Sequence, residues 1–281
     1  MMTGPAMPGP FFWKTPIDCS PMLYDFSAGQ TPLLIDIPHA GETLPADIEQ
    51  RLDPRGRKLI DTDWHVHRLL DFAPELGASV MRARLSRYLI DLNRGADDQP
   101  LYAGPTTGLV PTETFDGKAL YRDEPPDDEE VQRRIERYWR PYHAELARQL
   151  DAIRKQHGFA ILLDAHSIRS HVPRLFEGKL PDLNLGTFDG RSCAESLQAG
   201  VAQLLREQDE FSHVVNGRFK GGYITRHYGQ PDRDIHALQL EIAQSCYMDE
   251  ARPEHFDEQR AAPLKAWLRS LIEYLVEWQP R

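Results

Sequence analysis

The chain has 281 residues with a formal net charge of -10 at pH 7, and 41% of its residues are hydrophobic. This length can bury a substantial core, so we expect a single domain over residues 17–281, preceded by a loose tail over residues 1–16. The acidic balance provides no positive field for phosphates, which argues against nucleic acid and membrane as partners and favours a small molecule.

The three cysteines, Cys19, Cys193 and Cys246, lie far apart and show neither CxxC spacing nor the even number of a disulfide framework. The N-terminal residues lack the features of a signal peptide, and no apolar run approaches the roughly 20 residues of a membrane span. We therefore expect a cytoplasmic protein that is neither exported nor anchored. The sequence leaves its oligomeric state open.

Short apolar runs alternate with amphipathic helical stretches, a pattern typical of an α/β sheet covered by helices on both faces. Strands are predicted at residues 33–37, 78–81, 88–92, 160–164, 213–215 and 237–242. Helices are predicted at residues 64–76, where Gly77 ends the helix, at 194–207, at 263–277, and from the acidic run 127–130 to beyond residue 153. Residues 95–124 form too long a connection for an ordinary loop, and they are a candidate substrate-covering segment.

Polar side chains follow three of the predicted strands, where ligands of α/β sheets collect. LLIDIP leads into His39, YLIDL leads into Asn93 and Arg94, and AILLDA leads into His166. Any one of these residues alone is equally well explained as a turn or capping residue. Two histidines in the same position favour a metal site, because imidazole is a common zinc ligand and a catalytic zinc takes three protein ligands.

The third ligand has two candidates. Glu42 follows His39 in an H-x-x-E pair, and Asp63 lies in DTDWH before a predicted helix. Asp61 and Asp63 are equally well explained as helix N-caps. Spacing alone leaves both candidates open.

Glu241 is the candidate general base, because in HALQLEIAQS it interrupts an apolar strand where an unpaired charge would be costly. A buried salt bridge is the alternative explanation. Four arginines near the predicted strand ends, Arg87, Arg94, Arg169 and Arg226, indicate an anionic substrate with one or more carboxylates, which guanidinium groups bind in bidentate fashion. Each arginine alone would more often be a solvated surface charge.

Several long segments carry a family resemblance that covers nearly all of the chain beyond the tail. They are PHAG at 38–41, DTDWH at 61–65, SRYLIDLNR at 86–94, LYAGPTTGL at 101–109, DAHSIRS at 164–170, PRLFEGKLPDLNLGT at 173–187, NGRFKGGYITRHYG at 216–229 and HALQLEIAQSCYM at 236–248. The sequence resembles the N-formylglutamate amidohydrolases, and within them the deformylases of histidine breakdown.

The resemblance implies a fold similar to that of the zinc carboxypeptidases and aspartoacylases, with a mixed, mostly parallel central sheet flanked by helices on both faces. It implies His39 and His166 as metal ligands and Glu241 as general base. The DTDW acid belongs to the family pattern, whereas no glutamate is required after PHAG. The resemblance therefore favours Asp63 over Glu42 as the third ligand.

For the substrate, the resemblance implies that Asn93 and Arg94 hold one carboxylate. Arg226 or Arg87 would hold a second carboxylate, and Arg169 or a nearby backbone donor would stabilise the tetrahedral oxyanion. The implied reaction is hydrolysis of N-formyl-L-glutamate to formate and L-glutamate.

The implied cofactor is one divalent metal. Zinc is expected, and histidine and carboxylate ligands also accept cobalt, iron or manganese. One alternative function is an acylamino-acid hydrolase or a carboxypeptidase-like enzyme with another acyl group. Another is a non-catalytic metal- or carboxylate-binding protein, which Glu241 disfavours because binding alone needs no general base.

Overall fold

A computed structural model describes residues 23–101 and 104–280. The predicted tail over residues 1–16 and Cys19 lie outside the described residues. Cys193 and Cys246 are free thiols, and the cytoplasmic location remains a prediction. Among the helices of the described residues, none combines the length and apolar character that crossing a bilayer requires.

One mixed sheet contains seven strands: β1 (Tyr24–Ser27), β2 (Leu33–Ile37), β3 (Ser79–Ala83), β4 (Ala160–Ile168), β5 (Leu183–Gly186), β6 (His213–Val215) and β7 (Ile235–Ala243). Their order across the sheet is β1-β3-β2-β4-β7-β5-β6. The pairs β1/β3 and β5/β7 are antiparallel and the other neighbouring pairs are parallel. The predicted mixed, mostly parallel sheet is thus confirmed.

Helices cover both faces of this sheet, as predicted. They are α1 (Ala46–Arg51), α2 (Val66–Leu69), α3 (Asp128–Arg134), α4 (Arg140–His157), α5 (Glu195–Arg206), α6 (Tyr223–Tyr228) and α7 (Glu258–Glu277), with a π-helical turn at Ile135–Trp139 between α3 and α4. Helices α2, α5 and α7 share one hydrophobic cluster with the sheet, and α4 and α6 share another.

Strand β4 shows how the site comes to lie on one face. Because side chains alternate along a strand, Ile161 and Leu163 enter the cluster of α2, α5 and α7, while Leu162 enters the cluster of α4 and α6. Asp164 and His166 continue on the side of Leu162. The half of this face nearer the carboxyl end of β4 is therefore polar.

The predicted strand at residues 88–92 is wrong. This segment is a buried turn in which the Leu89 N–H donates to the Ser86 carbonyl and the Arg94 N–H donates to the Asp91 carbonyl. Its apolar residues are buried against helices and neighbouring loops, so the run resembles a core strand in sequence. The Asp91 side chain fixes the turn by accepting from the Asn93 N–H at 2.9 Å.

The other differences concern length and boundaries. Strands β1 and β5, four residues each, were not predicted, and β4 and β7 extend beyond their predicted bounds. The predicted helix at 64–76 is split into α2 and a 3₁₀ turn at Ala73–Leu76, which contains Pro74. Gly77 ends that turn with a φ of 80°, the left-handed conformation expected there.

Gly41 sets the turn after β2, because a Cβ at this position would lie 2.2 Å from the Leu85 carbonyl oxygen. We expect Gly41→Ala to lower the free energy of unfolding by roughly 1–3 kcal/mol, the usual cost of overpacking. Urea unfolding monitored by fluorescence would measure it. Glu42→Ala is the matched control, since Glu42 is exposed, and equal losses in the two variants would contradict the close-packing argument.

Candidate active site

The site lies at the carboxyl ends of β2, β4 and β7, which are neighbours in the sheet. His39 follows β2 by two residues, and the register of β4 on β7 places His166 beside Glu241 and Asp164 beside Gln239. Since β4 continues to Ile168, His166 lies within the strand and not after it as predicted. The four polar side chains therefore form two pairs across the neighbouring strands β4 and β7, and both pairs lie on the same face of the sheet.

His39, Asp63 and His166 form a buried cluster, and one ligand atom from each lies within 4.8 Å of the others. His166 Nδ1 is 2.9 Å from Asp63 Oδ2, and His39 Nδ1 is 3.8 Å from the same oxygen. Each of the three residues is at most 2% exposed. His39 Nδ1 has no hydrogen-bond partner among the described residues. The three side chains thus present a nitrogen, oxygen and nitrogen set suited to a divalent cation.

Two buried carboxylates contact the Nε2 atoms of the histidines, on the side of each ring opposite Nδ1. His39 Nε2 donates to Asp91 Oδ1 at 2.7 Å, and His166 Nε2 lies 2.7 Å from Asp164 Oδ1. A carboxylate on the ring nitrogen opposite the ligating one is the usual support of a metal-binding histidine. Both histidines are therefore oriented with Nδ1 towards Asp63.

Asp63 belongs to this cluster and not to a helix terminus. Helix α2 begins at Val66 and has no side-chain N-cap, while Asp63 Oδ2 accepts from the Ser167 N–H at 3.0 Å. Burial tends to raise the pKa of Asp63, but His166 and other nearby cations hold that pKa below its ordinary value. Glu42 is exposed and outside the cluster. Of the two candidates for third ligand, the geometry favours Asp63.

The pKa values of the two histidines are shifted in opposite directions. Burial, together with the Arg87 guanidinium, lowers the pKa of His39 despite Asp91, so its imidazole is neutral and able to ligate. Burial opposes protonation of His166 as well, but Asp164 and Asp63 raise the pKa of His166 well above its ordinary value. A divalent cation in this cluster would replace the proton that Asp164 and Asp63 favour on His166, because a ligating imidazole is neutral.

The guanidinium of Arg87 forms ion pairs with the carboxylates of this cluster. It is 7% exposed, its Nη2 donates to Asp91 Oδ2 at 2.6 Å, and its Nη1 lies 3.4 Å from Asp63 Oδ1. The neighbouring carboxylates raise the pKa of Arg87 although burial opposes them. The guanidinium lines the cavity and its contacts hold Asp63 and Asp91, while its expected role in binding substrate remains a prediction.

A cavity opens beside the cluster. It is lined by His39, Arg87, Asn93, Arg94, Thr106, Thr107, Phe115, His166, Ser167, Ile168, Leu175, Arg218, Phe219, Gly222, Gln239 and Glu241. The long segment 95–124 contributes three of these residues, as expected of a segment near the substrate. Its covering role remains a prediction.

Glu241 faces the cavity and is 6% exposed. Burial raises the pKa of its carboxyl group to about 8, and the nearby carboxylates of Asp63 and Asp164 add to the rise. Its described side-chain hydrogen bond comes from Gln239 Nε2, which donates to Oε2 at 3.1 Å. The structure records no salt bridge of Glu241 with a described arginine, which removes the alternative explanation of its burial.

Asn93 and Arg94 lie together in the cavity, as predicted. Asn93 Nδ2 is 2.9 Å from His166 Nε2, and its Oδ1 accepts from the Ile224 N–H at 2.8 Å. Arg94 donates to neutral oxygens, the carbonyls of Asn93 and Thr107 and the Thr106 hydroxyl. No carboxylate of the described residues forms a salt bridge with Arg94. Its charge is positioned but not neutralised, which suits an anionic ligand.

The other two predicted arginines, Arg169 and Arg226, are not among the residues that line this cavity. Arg169 Nη2 lies 2.9 Å from Asp116 Oδ2 and 3.5 Å from Asp61 Oδ1, and the expected role of Arg169 at an oxyanion remains a prediction. Arg226 donates from Nε to the Gly221 carbonyl at 2.8 Å. The role of Arg226 in binding a carboxylate also remains a prediction.

Sequence reasoning missed several polar side chains that the structure brings to the site, among them Asp91, Asp164, Gln239, Thr106 and Arg218. Asp164 could have been found, since it precedes His166 by two residues on the same strand and so shares its face. Asp91 is an acid inside the apolar run YLIDL, the feature that singled out Glu241. Arg218 lies in a quoted motif, NGRFKGGYIT, but nothing in its spacing distinguishes it from Arg226.

Buried histidine and carboxylate side chains that converge on a cavity at the carboxyl edge of an α/β sheet define an α/β enzyme site of the hydrolase type. A family model described as N-formylglutamate amidohydrolase matches residues 31–248. The chain belongs to the N-formylglutamate amidohydrolase family.

Known proteins agree with this membership. Relatives named N-formylglutamate deformylase, from Pseudomonas putida and Pseudomonas aeruginosa, are 52% and 50% identical to the chain over 90% of its length and over 95% and 96% of theirs. The crystal structure of an N-formylglutamate amidohydrolase from Ralstonia eutropha JMP134 has a TM-score of 0.78 and 29% identity, and the match covers 91% of this chain and 97% of that one. A gene product of Agrobacterium tumefaciens shares the fold, with a TM-score of 0.67 and 16% identity over 89% and 93% of the two chains.

We expect Arg87→Gln to lower the free energy of unfolding by about 3–5 kcal/mol, because it leaves two buried carboxylates without their cation. Urea unfolding of metal-free protein would measure the loss. The matched control is Arg140→Gln, which breaks an exposed ion pair with Glu136 and should cost less than about 1 kcal/mol. Similar small losses in both variants would show that Arg87 does not hold the cluster together.

Proposed function

We propose that the chain hydrolyses N-formyl-L-glutamate to L-glutamate and formate in a metal-dependent reaction, as the last step of a histidine degradation route. The observation that carries this proposal is the buried cluster of His39, Asp63 and His166 beside Glu241. The names of the relatives that are 50% and 52% identical support the substrate.

The residues of the cluster fit a divalent cation. The fit is supported by His39 Nδ1, a buried atom without a described hydrogen-bond partner that faces Asp63, and by the carboxylates behind both histidines. Two histidines and one carboxylate leave room for a substrate or water ligand. We propose zinc, and the same ligands accept cobalt, iron or manganese.

When bound, the cation would supply Lewis-acid polarisation of the formyl carbonyl and a lowered pKa for water. In its ionised form, Glu241 would accept a proton from the attacking water and donate it to the departing amino nitrogen. Its buried, raised-pKa carboxyl group suits both steps, since such a group exchanges protons near neutral pH. Arg94 would hold a substrate carboxylate and so orient the formamide towards the cluster.

The substrate assignment is tested by formate release. N-formyl-L-glutamate should be hydrolysed faster than N-acetyl-L-glutamate and N-acetyl-L-aspartate, with amine release measured alongside for all three compounds. Faster turnover of an acetyl compound would contradict the deformylase assignment and indicate an acylamino-acid hydrolase.

We expect the purified chain to retain about one divalent cation per chain, and Asp63→Asn to lose most of it because an amide is a weaker ligand. Asp164→Asn should weaken affinity by about 10–100-fold, as the loss of a carboxylate behind a ligating histidine usually does. Metal content after dialysis against buffered zinc, measured by mass spectrometry, would show this. Glu42→Gln is the control that should retain the metal, and loss of metal in Glu42→Gln alone would assign the third ligand to Glu42.

Glu241→Gln should lower kcat for N-formyl-L-glutamate by about 10²–10⁴-fold, because the amide cannot transfer the proton. Metal content should be unchanged, since Glu241 is not in the cluster. Steady-state kinetics and metal analysis on the same preparation would separate the two effects, with Glu42→Gln as the matched control. An unchanged kcat would remove Glu241 from the mechanism.

A further inference from the structure

A substrate with two carboxylates needs a second cation besides Arg94, and the sequence left Arg87 and Arg226 as alternatives for it. Arg87 is committed to Asp63 and Asp91, and Arg226 does not line the cavity. Among the described residues, the arginines that line the cavity are Arg87, Arg94 and Arg218. Besides Arg87 and Arg94, the arginine of this lining is Arg218.

Arg218 is held in place by its own contacts. Its Nε donates to the Leu175 carbonyl at 2.7 Å, which orients the guanidinium plane through a neutral acceptor. A buried or half-buried cation oriented in this way binds a carboxylate with less loss of conformational entropy than a flexible one.

The loop that carries Arg218 is fixed at both ends. On one side, Asn216 N–H donates to the Leu185 carbonyl at 2.7 Å, and Asn216 Oδ1 accepts from the Thr187 N–H at 2.8 Å. On the other, Gly222 N–H donates to Gln239 Oε1 at 2.6 Å, and Gln239 in turn donates to Glu241. The position of Arg218 is thus tied to the same strand, β7, that carries the candidate general base.

The surroundings of Arg218 suit a short aliphatic chain. Phe219 and Leu175 line the cavity beside it and pack against a small hydrophobic cluster that includes Phe115 and Ile168. Arg94, in contrast, is the chain neighbour of Asn93, which touches His166. Of these two arginines, Arg94 thus adjoins in sequence a residue that contacts the cluster, and Arg218 lies beside an apolar wall.

We propose that Arg218 binds the side-chain carboxylate of an N-formyl dicarboxylic amino acid, while Arg94 binds the α-carboxylate next to the formamide. This assignment rests on the proposed function. The methylene groups between the two carboxylates pack against Phe219 and Leu175. Arg218 then selects dicarboxylic substrates over their neutral analogues.

The test compares kcat/KM for N-formyl-L-glutamate and for N-formyl-L-glutamine, which has the same shape without the second charge. In Arg218→Gln, the ratio of the two values should fall by about 30-fold or more, the effect of removing one partner of a charged hydrogen bond. The fall should appear mainly as a higher KM for the charged substrate, because the lost contact holds substrate and transition state alike. Arg218→Lys keeps the charge but loses the bidentate hydrogen bonding of a guanidinium, so it should give an intermediate ratio.

The ratio is independent of the fraction of folded enzyme, so partial misfolding does not obscure it. Arg191→Gln, an exposed arginine before α5, is the matched control and should leave the ratio unchanged. An unchanged ratio in Arg218→Gln, with or without a loss of overall activity, overturns the assignment. So does a fall of the ratio in Arg226→Gln instead. Failure of the unmodified chain to release formate from N-formyl-L-glutamate would count against the proposed function itself.

Discussion

The organisation of the site depends on one buried cation, the guanidinium of Arg87. It contacts Asp63, which belongs to the proposed ligand cluster, and Asp91, which holds His39. Each of these carboxylates is almost fully buried, and its charge would destabilise the fold if no cation lay nearby. Because Arg87 pairs with both, the cluster keeps its shape while His39 remains neutral. Arg87 is thus a structural residue whose charge makes a histidine–carboxylate site possible in the protein interior.

A second constraint is the division of one face of the sheet into an apolar half and a polar half. Leu34 and Leu162 pack under α4, whereas Asp36 and Asp164, two residues further along the same strands, are buried polar groups. Burial and the neighbouring Asp164 raise the pKa of Asp36 well above its ordinary value, and Asp164 Oδ1 lies 2.7 Å from His166 Nε2. In each strand, the change from leucine to aspartate therefore marks the boundary between the residues that pack under α4 and the polar residues of the site.

The parts of the site that could be predicted are those where a polar residue breaks a buried apolar run. Glu241 stands out for this reason, His39 and His166 stand out because each directly follows such a run, and all three line the cavity. The run at 88–92 was interpreted as a strand because a buried turn and a buried strand share the same apolar composition, and only the hydrogen bonds of the Asp91 carboxylate distinguish them. Burial can be inferred from local sequence, but backbone conformation at such a site depends on distant partners.

The positions of the arginine charges are harder to predict from the sequence. A long side chain allows the same local sequence to place its guanidinium group at different sites. Arg169 follows the central strand yet pairs with Asp61 and Asp116, which come from distant loops. Arg218 lies outside any strand, but its loop is fixed by bonds to β7, and its side chain reaches the cavity. The resulting site is anionic around the histidines and cationic at Arg94 and Arg218. Under the proposed reaction, this separation of charge orients the substrate, since its carboxylates are drawn away from Asp63 and Glu241 and its formyl group is left facing them.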